Sequence, residues 1–176
     1  MAGFILWVGD PGSGKTSALY AQARAYIRAG WRVIVVSVVD DRALPLGCEQ
    51  ALDLPDAIRD AAGWRDVVIA YDEVALETAG SAKTASPELE AIGRFRRHMG
   101  VTFLATTQRP HDLPATVRDL NVQWRLMRFG DTSSYAYQWL AREFPDSAGR
   151  LPHLHPYYWE NGSPDPVPGT HYIIGR

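Results

Sequence analysis

A phosphate-binding loop is encoded near the start of the sequence. Gly9 to Thr16 reads GDPGSGKT and matches the pattern G-x-x-x-x-G-K-[ST]. In such a loop, successive backbone N–H groups point at phosphate oxygens, and the following helix N-terminus adds a favourable dipole. The Lys15 ammonium is then expected to reach the β and γ phosphates of a nucleotide, and the Thr16 hydroxyl to bind Mg²⁺. The residues expected to contact the nucleotide are Gly9, Asp10, Pro11, Gly12, Ser13, Gly14, Lys15, Thr16 and Ser17.

Two adjacent acids, Asp72 and Glu73, directly follow the apolar run Val67 to Tyr71. A buried strand delivers such acids to the carboxyl edge of a parallel sheet, where ligands bind. We expect Asp72 to hold Mg²⁺, usually through water, and Glu73 to act as the base that polarises an attacking water. Taken without the phosphate-binding loop, the pair could equally be a solvated strand end.

Gln108 is a candidate phosphate sensor. It follows the run VTFLATT, which ends at Thr107. If that strand lies between the strand before the phosphate-binding loop and the strand before Asp72, the amide comes close to the γ-phosphate. Spacing alone slightly favours an ordinary loop residue before Pro110, so the role of Gln108 stays open on these grounds.

Strands and helices alternate along the chain. Apolar, β-branched runs predict strands at 3–8, 31–39, 66–74, 101–107 and 121–129. Helical spacing predicts helices from the phosphate-binding loop to Gly30, near 56–62, from about 89 to 99, at 115–120 and at 133–143. The pattern predicts a three-layer α/β domain. The placement of the loop after a strand and before a helix disfavours a chance match to its pattern.

The C-terminal segment has a different composition. Residues 145–176 are rich in prolines and end in HYIIG before the last residue, which predicts a turn-rich cap whose final strand returns to the sheet. Residues 78–87 are small and polar and predict a mobile loop. We therefore expect one domain over 1–176, with a core at 1–144 and a C-terminal cap at 145–176.

Composition limits the class of protein. A chain of 176 residues with 46% hydrophobic and 22% charged residues can bury one core. Its apolar runs fall far short of the roughly 20 residues that span a bilayer. The lone Cys48 and the start of the chain, which has no basic segment or cleavage site, favour an intracellular protein that is neither secreted nor inserted in a membrane.

The net charge of −2 gives no overall basic footprint for nucleic acid. From Arg94 to Arg128, however, the sequence has seven arginines and two aspartates. Either an arginine-rich surface or a phosphate-facing surface accounts for this local excess, and the sequence alone does not decide between them.

Four segments together resemble the FtsK/HerA superfamily of DNA-pumping ATPases over about residues 3–129. They are GDPGSGKT, VVIAYDEV, RRHMGVTFLATTQRP and LPATVRDLNVQWRLMRF. The short chain looks most like the genome-packaging ATPases of membrane-containing icosahedral viruses. Zot-like assembly ATPases of filamentous phages share the pattern of Arg97, His98 and Gly100. The resemblance implies a RecA-like P-loop NTPase fold, with a mostly parallel central sheet flanked by helices, and ATP and Mg²⁺ as cofactors.

The resemblance also implies roles for single residues. In that family the glutamine of the T-Q-R-P element, here Gln108, contacts the nucleotide region. Its members work as rings in which an arginine reaches the ATP of the next subunit, and the alignment points to Arg125, with Arg118 as a rival. The remaining candidates for this arginine are Arg94, Arg96 and Arg97. Lys83, in the loop at 80–87, is the candidate DNA contact.

The resemblance implies an ATP-hydrolysing DNA translocase that packages a viral genome. Its expected partners are double-stranded DNA bound through the backbone, a ring of five or six copies, and capsid or membrane-embedded vertex proteins. Its expected place is the host cytoplasm or the packaging vertex of the virion. The alternatives are a Zot-like assembly or export ATPase, a small P-loop kinase, and an assembly module gated by nucleotide. A GTPase is disfavoured because the sequence has no N-K-x-D element.

Overall fold

Strands and helices alternate in the computed structural model, which describes residues 3–36, 44–74, 87, 89, 91–92, 100–118, 122–157 and 169–175. Short 3-10 turns at Pro110–Asp112 and Leu151–His153 join some of the elements. The strands and helices are β1 (Phe4–Val8), α1 (Lys15–Arg28), β2 (Arg32–Val36), β3 (Glu49–Ala51), α2 (Leu54–Ala61), β4 (Val67–Tyr71), β5 (Val101–Thr107), α3 (Ala115–Arg118), β6 (Gln123–Leu126), α4 (Tyr135–Glu143), α5 (Pro145–Ala148) and β7 (Tyr172–Gly175).

The described strands form one sheet in the order β3-β2-β4-β5-β1-β6-β7. Neighbouring strands are parallel, apart from β6 and β7, which are antiparallel. The predicted mostly parallel sheet is therefore confirmed. In this order β5 lies between β1 and β4. This is the strand order for which we expected Gln108 to come close to the γ-phosphate.

Side chains alternate between the two faces of the sheet, and each face packs against helices. In β4, Val67 and Ile69 lie in the core that also holds Leu54 of α2 and Leu140 of α4, whereas Val68 lies in the core beneath α1. Because both faces are covered, the central strands are apolar on both sides, as buried parallel strands are. The three-layer arrangement that the sequence predicted is confirmed.

Two elements differ from the sequence-based expectation. Residues 49–51, where neither a strand nor a helix was predicted, form β3, although their sequence is EQA. β3 pairs in parallel with β2. The guanidinium of Arg32 on β2 adds an ion pair, because its Nε donates to Glu49 Oε1 at 2.7 Å and its second terminal nitrogen lies 2.6 Å from Glu49 Oε2. In the C-terminal cap, α5 forms within a segment that was predicted to be turns, and the returning strand, β7, is confirmed.

Several expectations cannot be compared with the structure. The predicted loop at 78–86, most of the helix near 89–99, and the end of the predicted strand at 37–39 lie outside the described residues. In the described ranges, no helix is both long and apolar enough to cross a bilayer. The division into a core at 1–144 and a cap at 145–176 stays a prediction.

The β5 core residue Phe103 tests the packing of the sheet. Its side chain is fully buried and meets Phe4 edge to face at 5.0 Å between ring centroids. We expect Phe103→Ala to lower the free energy of unfolding by about 3–5 kcal/mol, because it leaves a cavity in the core. Urea denaturation measures this, with Leu52→Ala as the control at a side chain that is 89% exposed. A loss below about 1 kcal/mol for Phe103→Ala would contradict the packing.

Candidate nucleotide-binding site

The predicted phosphate-binding loop joins β1 to α1. It turns through the left-handed backbone region at Gly12 (φ 75°) and Gly14 (φ 92°), which other residues adopt only with strain. The Ser13 N–H donates to the Asp10 carbonyl at 3.1 Å and closes the turn. No side chain among the described residues caps the N-terminus of α1. Because the first N–H groups of a helix lack partners within it, this end is suited to bind an anion.

Lys15, the first residue of α1, is buried in the floor of the site. Its side chain is 6% exposed, and its ammonium donates to the Asp10 carbonyl at 2.8 Å. Burial lowers the pKa of Lys15 below its usual value, although the nearby carboxylates of Glu73, Asp72 and Asp10 act in the opposite direction. A negatively charged phosphate in the site would stabilise this desolvated ammonium.

Asp72 lies opposite the start of α1. The Thr16 hydroxyl is 3.0 and 3.1 Å from the two oxygens of the Asp72 carboxylate and donates to it. A hydroxyl beside a carboxylate is a set of hard oxygen ligands, which Mg²⁺ prefers. In the described part of the chain, no three His, Cys, Asp or Glu side chains cluster to hold a metal by themselves. Mg²⁺ commonly binds through one or two protein ligands together with substrate phosphates and water.

Glu73 has an unusual backbone conformation. Its φ is 60°, in the left-handed region that costs a non-glycine residue about 1–2 kcal/mol. Successive side chains of an extended strand point to opposite faces, so this turn allows Asp72 and Glu73 to serve the same site. The Glu73 carboxylate accepts hydrogen bonds from the Thr107 hydroxyl at 3.0 Å and from the Gln108 N–H at 3.1 and 3.2 Å.

Two buried hydroxyls at the end of β5 were not predicted from the sequence. Thr106 and Thr107 are both 0% exposed. The Thr106 hydroxyl oxygen lies 2.7 Å from both Asp72 Oδ1 and the Glu73 backbone nitrogen. One signal was available in the sequence, since two polar residues end an otherwise mostly apolar strand at the edge where ligands bind.

Most of the predicted nucleotide-contacting residues, together with Asp72, Glu73 and Gln108, line one cavity of about 280 Å³, whereas Gly9, Asp10 and Ser13 do not line it. Ligand pockets commonly enclose about 300–1,000 Å³, so this volume suits a phosphate chain better than a whole nucleotide. The proximity of the loop, the acid pair and Gln108 agrees with the predictions, while the chemical role of each residue stays a prediction. The lining residues are Pro11, Gly12, Gly14, Lys15, Thr16, Ser17, Asp72, Glu73 and Gln108.

The back of the loop is held by segments far away in sequence. The Tyr157 N–H donates to the Ser13 carbonyl at 2.9 Å, so the C-terminal cap packs directly on the loop. The Asp10 carboxylate accepts a hydrogen bond from the Gly130 N–H at 2.7 Å, which ties the loop to the segment after β6. These contacts were not expected from the sequence, because they join residues more than 100 positions apart.

The two predicted finger arginines have partners within the chain. The Arg125 guanidinium bonds to Gln123 at 3.1 Å and to Gln22 at 3.3 Å, and it lies 4.8 Å from the centre of the Trp7 ring. Burial lowers its pKa from the usual value. The Arg118 guanidinium lies 5.3 Å from the centre of a Trp139 ring. Their action on a neighbouring subunit stays a prediction, and Lys83, Arg94, Arg96 and Arg97 lie outside the described residues.

Solved structures resemble this fold at low sequence identity. B204, the DNA-packaging ATPase from Sulfolobus turreted icosahedral virus, superposes with a TM-score of 0.70 at 16% identity, over 97% of this chain and 96% of that one. The B204 genome-packaging NTPase of Sulfolobus turreted icosahedral virus 2, in complex with ATP-gammaS, gives a TM-score of 0.68 at 15% identity, over 98% and 96% of the chains.

The cytoplasmic domain of the type VII secretion ATPase EccC from Thermomonospora curvata is more distant. Its TM-score is 0.50 at 14% identity, over 77% of this chain and 20% of that one. No protein-family model matches the sequence, and no curated protein is significantly similar to it. The likeness therefore establishes the P-loop NTPase fold.

Two glycines of the loop form a matched pair. A Cβ at Gly14 would lie 2.1 Å from the Tyr157 carbonyl oxygen, whereas a Cβ at Gly12 meets nothing within 4 Å. We expect Gly12→Ala to lower the free energy of unfolding by about 1–2 kcal/mol, because of backbone strain alone. Gly14→Ala should lower the free energy of unfolding by about 1–3 kcal/mol more than Gly12→Ala does, since it displaces the 154–157 segment. Urea denaturation of both variants measures the difference, and equal losses would contradict the contact between cap and loop.

The buried Lys15 provides a test of stability. Because its pKa is lowered, the protonated ammonium is less stable in the fold than in the unfolded chain. We expect Lys15→Met to raise the melting temperature of the nucleotide-free protein at pH 7 by about 2–4 °C. The advantage should shrink as the pH rises from the lowered pKa toward 10.5, where the unfolded lysine also loses its proton. Calorimetry across this range would contradict us if Lys15→Met melted lower at pH 7.

Proposed function

We propose that this chain is a Mg²⁺-dependent ATPase whose hydrolysis of ATP to ADP and phosphate drives DNA into a viral capsid. One observation carries the catalytic part of the proposal. The Thr16 hydroxyl at the end of the phosphate-binding loop contacts both oxygens of Asp72, so the loop and the acid pair belong to one site. The uncapped helix N-terminus and the buried Lys15 supply the positive potential that a triphosphate needs.

Thr16 and Asp72 are the residues that would hold Mg²⁺. When bound there, Mg²⁺ would supply positive charge to offset the negative charge that develops on the phosphate oxygens. Lys15 would exchange the Asp10 carbonyl for phosphate oxygens. That exchange keeps the ammonium hydrogen-bonded, and it replaces a neutral acceptor with a charged one, which makes a stronger bond.

Glu73 is suited to orient and polarise the attacking water. A carboxylate has about four acceptor positions, and the Thr107 hydroxyl and the Gln108 N–H do not fill them all. The remaining capacity can accept a hydrogen bond from water, while the two existing bonds fix the direction of the carboxylate. Gln108 is itself one of the residues that line the cavity, which supports its proposed role next to the γ-phosphate.

The movement of DNA is the part of the proposal that rests on likeness. Two structures that superpose over nearly the whole chain are named as viral genome-packaging or DNA-packaging ATPases. We propose double-stranded DNA as the substrate that is moved, contacted through its backbone, with Lys83 as one contact. Such contacts need only a few cations per subunit, so a net charge of −2 is compatible with them.

The proposed motor is a ring of five or six copies that acts in the host cytoplasm or at the packaging vertex, where it meets capsid or membrane-embedded vertex proteins. In the ring, Arg125 or Arg118 would approach the ATP of the next subunit. Arg125 is held by Gln22 of α1 and stacks on Trp7, so it would act from the face of the sheet that α1 covers. The whole chain would form one domain, with the segment at 145–176 as its cap.

Replacing the proposed base separates hydrolysis from binding. We expect Glu73→Gln to lower kcat for ATP by about 10²–10⁴-fold, because the amide cannot accept a proton from water. Its affinity for ATP should change by less than about threefold. The measurements are phosphate release and equilibrium binding of ATP. Glu143→Gln, at an exposed acid near the end of α4, is the matched control and should behave like the unchanged protein.

The same assay tests the wider proposal when double-stranded DNA is added. Phosphate release without any acceptor molecule excludes a kinase, and stimulation by DNA supports a motor. If ATP is bound but never hydrolysed, with or without DNA, the chain is a nucleotide-gated assembly module and the proposed ATPase is wrong. Hydrolysis that DNA leaves unchanged would contradict the DNA-moving part only.

A further inference from the structure

The hydroxyl of Thr106 joins the two acids of the site. Thr106 lies near the carboxyl end of β5, and its side chain is fully buried. Its oxygen is 2.7 Å from the Glu73 backbone nitrogen and 2.7 Å from Asp72 Oδ1. The backbone N–H can only donate, so the hydroxyl accepts from Glu73. Its single proton is then available for Asp72, which accepts it.

This bridge acts where the chain leaves its regular conformation. Glu73 holds its left-handed φ of 60° directly after Asp72, in the turn that ends β4. A strained backbone of this kind persists only when its surroundings hold it in place. At Glu73 the backbone N–H is bonded to Thr106, and the carboxylate is bonded to Thr107 and Gln108. All of these partners follow one another on β5 and its end.

We infer that Thr106 is a positioning residue that fixes the Asp72 carboxylate and the left-handed turn at Glu73 as one unit for ATP hydrolysis. The inference rests on the proposed ATPase function and assigns it a residue that is not among those lining the cavity. With the hydroxyl in place, Asp72 stays directed at Thr16, and Glu73 stays at the cavity that Asp72 also lines.

Two substitutions isolate the hydroxyl. Thr106→Val keeps the shape of the side chain but removes the oxygen, which leaves the Glu73 N–H without its acceptor. Thr106→Ser keeps the oxygen and removes only a methyl group. We expect Thr106→Val to lower kcat by about 10- to 100-fold, because the acids shift relative to the phosphates. The KM for ATP should change by less than about threefold, and Thr106→Ser should keep kcat within about threefold of the unchanged protein.

A measurement without nucleotide tests the geometry directly. Hydrogen exchange at the Glu73 amide, followed by NMR in the ligand-free protein, should be about tenfold or more faster in Thr106→Val than in the unchanged protein. In Thr106→Ser it should stay slow. Thr102→Val is the matched control, because Thr102 is also buried on β5 but lies at its other end, near Tyr26. It should leave both kcat and the exchange at Glu73 unchanged.

The possible results are distinct. If Thr106→Val keeps full kcat, or if Thr102→Val lowers kcat equally, the inference is wrong while the ATPase stands. If Thr106→Ser fails to restore kcat although it folds, as judged by its melting curve, the hydroxyl is not the active feature and the inference is also wrong. If the unchanged protein hydrolyses no ATP, the proposed function fails, and Glu73 exchange still reports whether Thr106 holds the turn.

Discussion

The position of β5 between β1 and β4 is the constraint on which the site depends. Neighbouring strands lie about 4.8 Å apart, so this arrangement separates β1, which leads into the phosphate-binding loop, from β4, which leads into the acid pair, by about 10 Å. The first turn of α1 spans that distance, because Thr16 reaches across β5 to Asp72. The same strand order places Thr106, Thr107 and Gln108 within hydrogen-bond distance of the two acids. A different strand order with the same motifs would leave the loop and the acids in separate places.

The site concentrates arrangements that cost the fold free energy. A lysine is buried and desolvated, a glutamate adopts a left-handed backbone, and the N-terminus of a helix has no side-chain cap in the described structure. Each of these is unfavourable in a protein that binds nothing. A triphosphate with Mg²⁺ would satisfy the lysine and the helix end at once, which is the physical reason to regard them as parts of one binding site.

The C-terminal cap belongs to the structure of the site. Its Tyr157 backbone contacts both Ser13 and Gly14, and its last strand, β7, extends the sheet beside β6. The loop is also tied to Gly130 through Asp10. A change in the loop on nucleotide binding therefore bears directly on two segments more than 100 residues away. The proposed motor would require such connections, since binding energy at the phosphates would have to reach surfaces that contact other molecules.

Local sequence signals were enough to predict most of the elements and the side chains that carry the proposed chemistry. Apolar runs, helical spacing and the G-x-x-x-x-G-K-T pattern are local signals, and they located β1, α1, β4, β5 and the acids Asp72 and Glu73. The spatial neighbours of each strand and side chain became known from the tertiary structure. Several features depend on partners distant in the chain. They are the strand order, the strand at Glu49–Ala51 with its ion pair to Arg32, and the left-handed turn at Glu73 with its bond to Thr106. Hydrophobic periodicity and secondary-structure propensity depend on residues that are close in sequence, whereas these features depend on residues that are close in space.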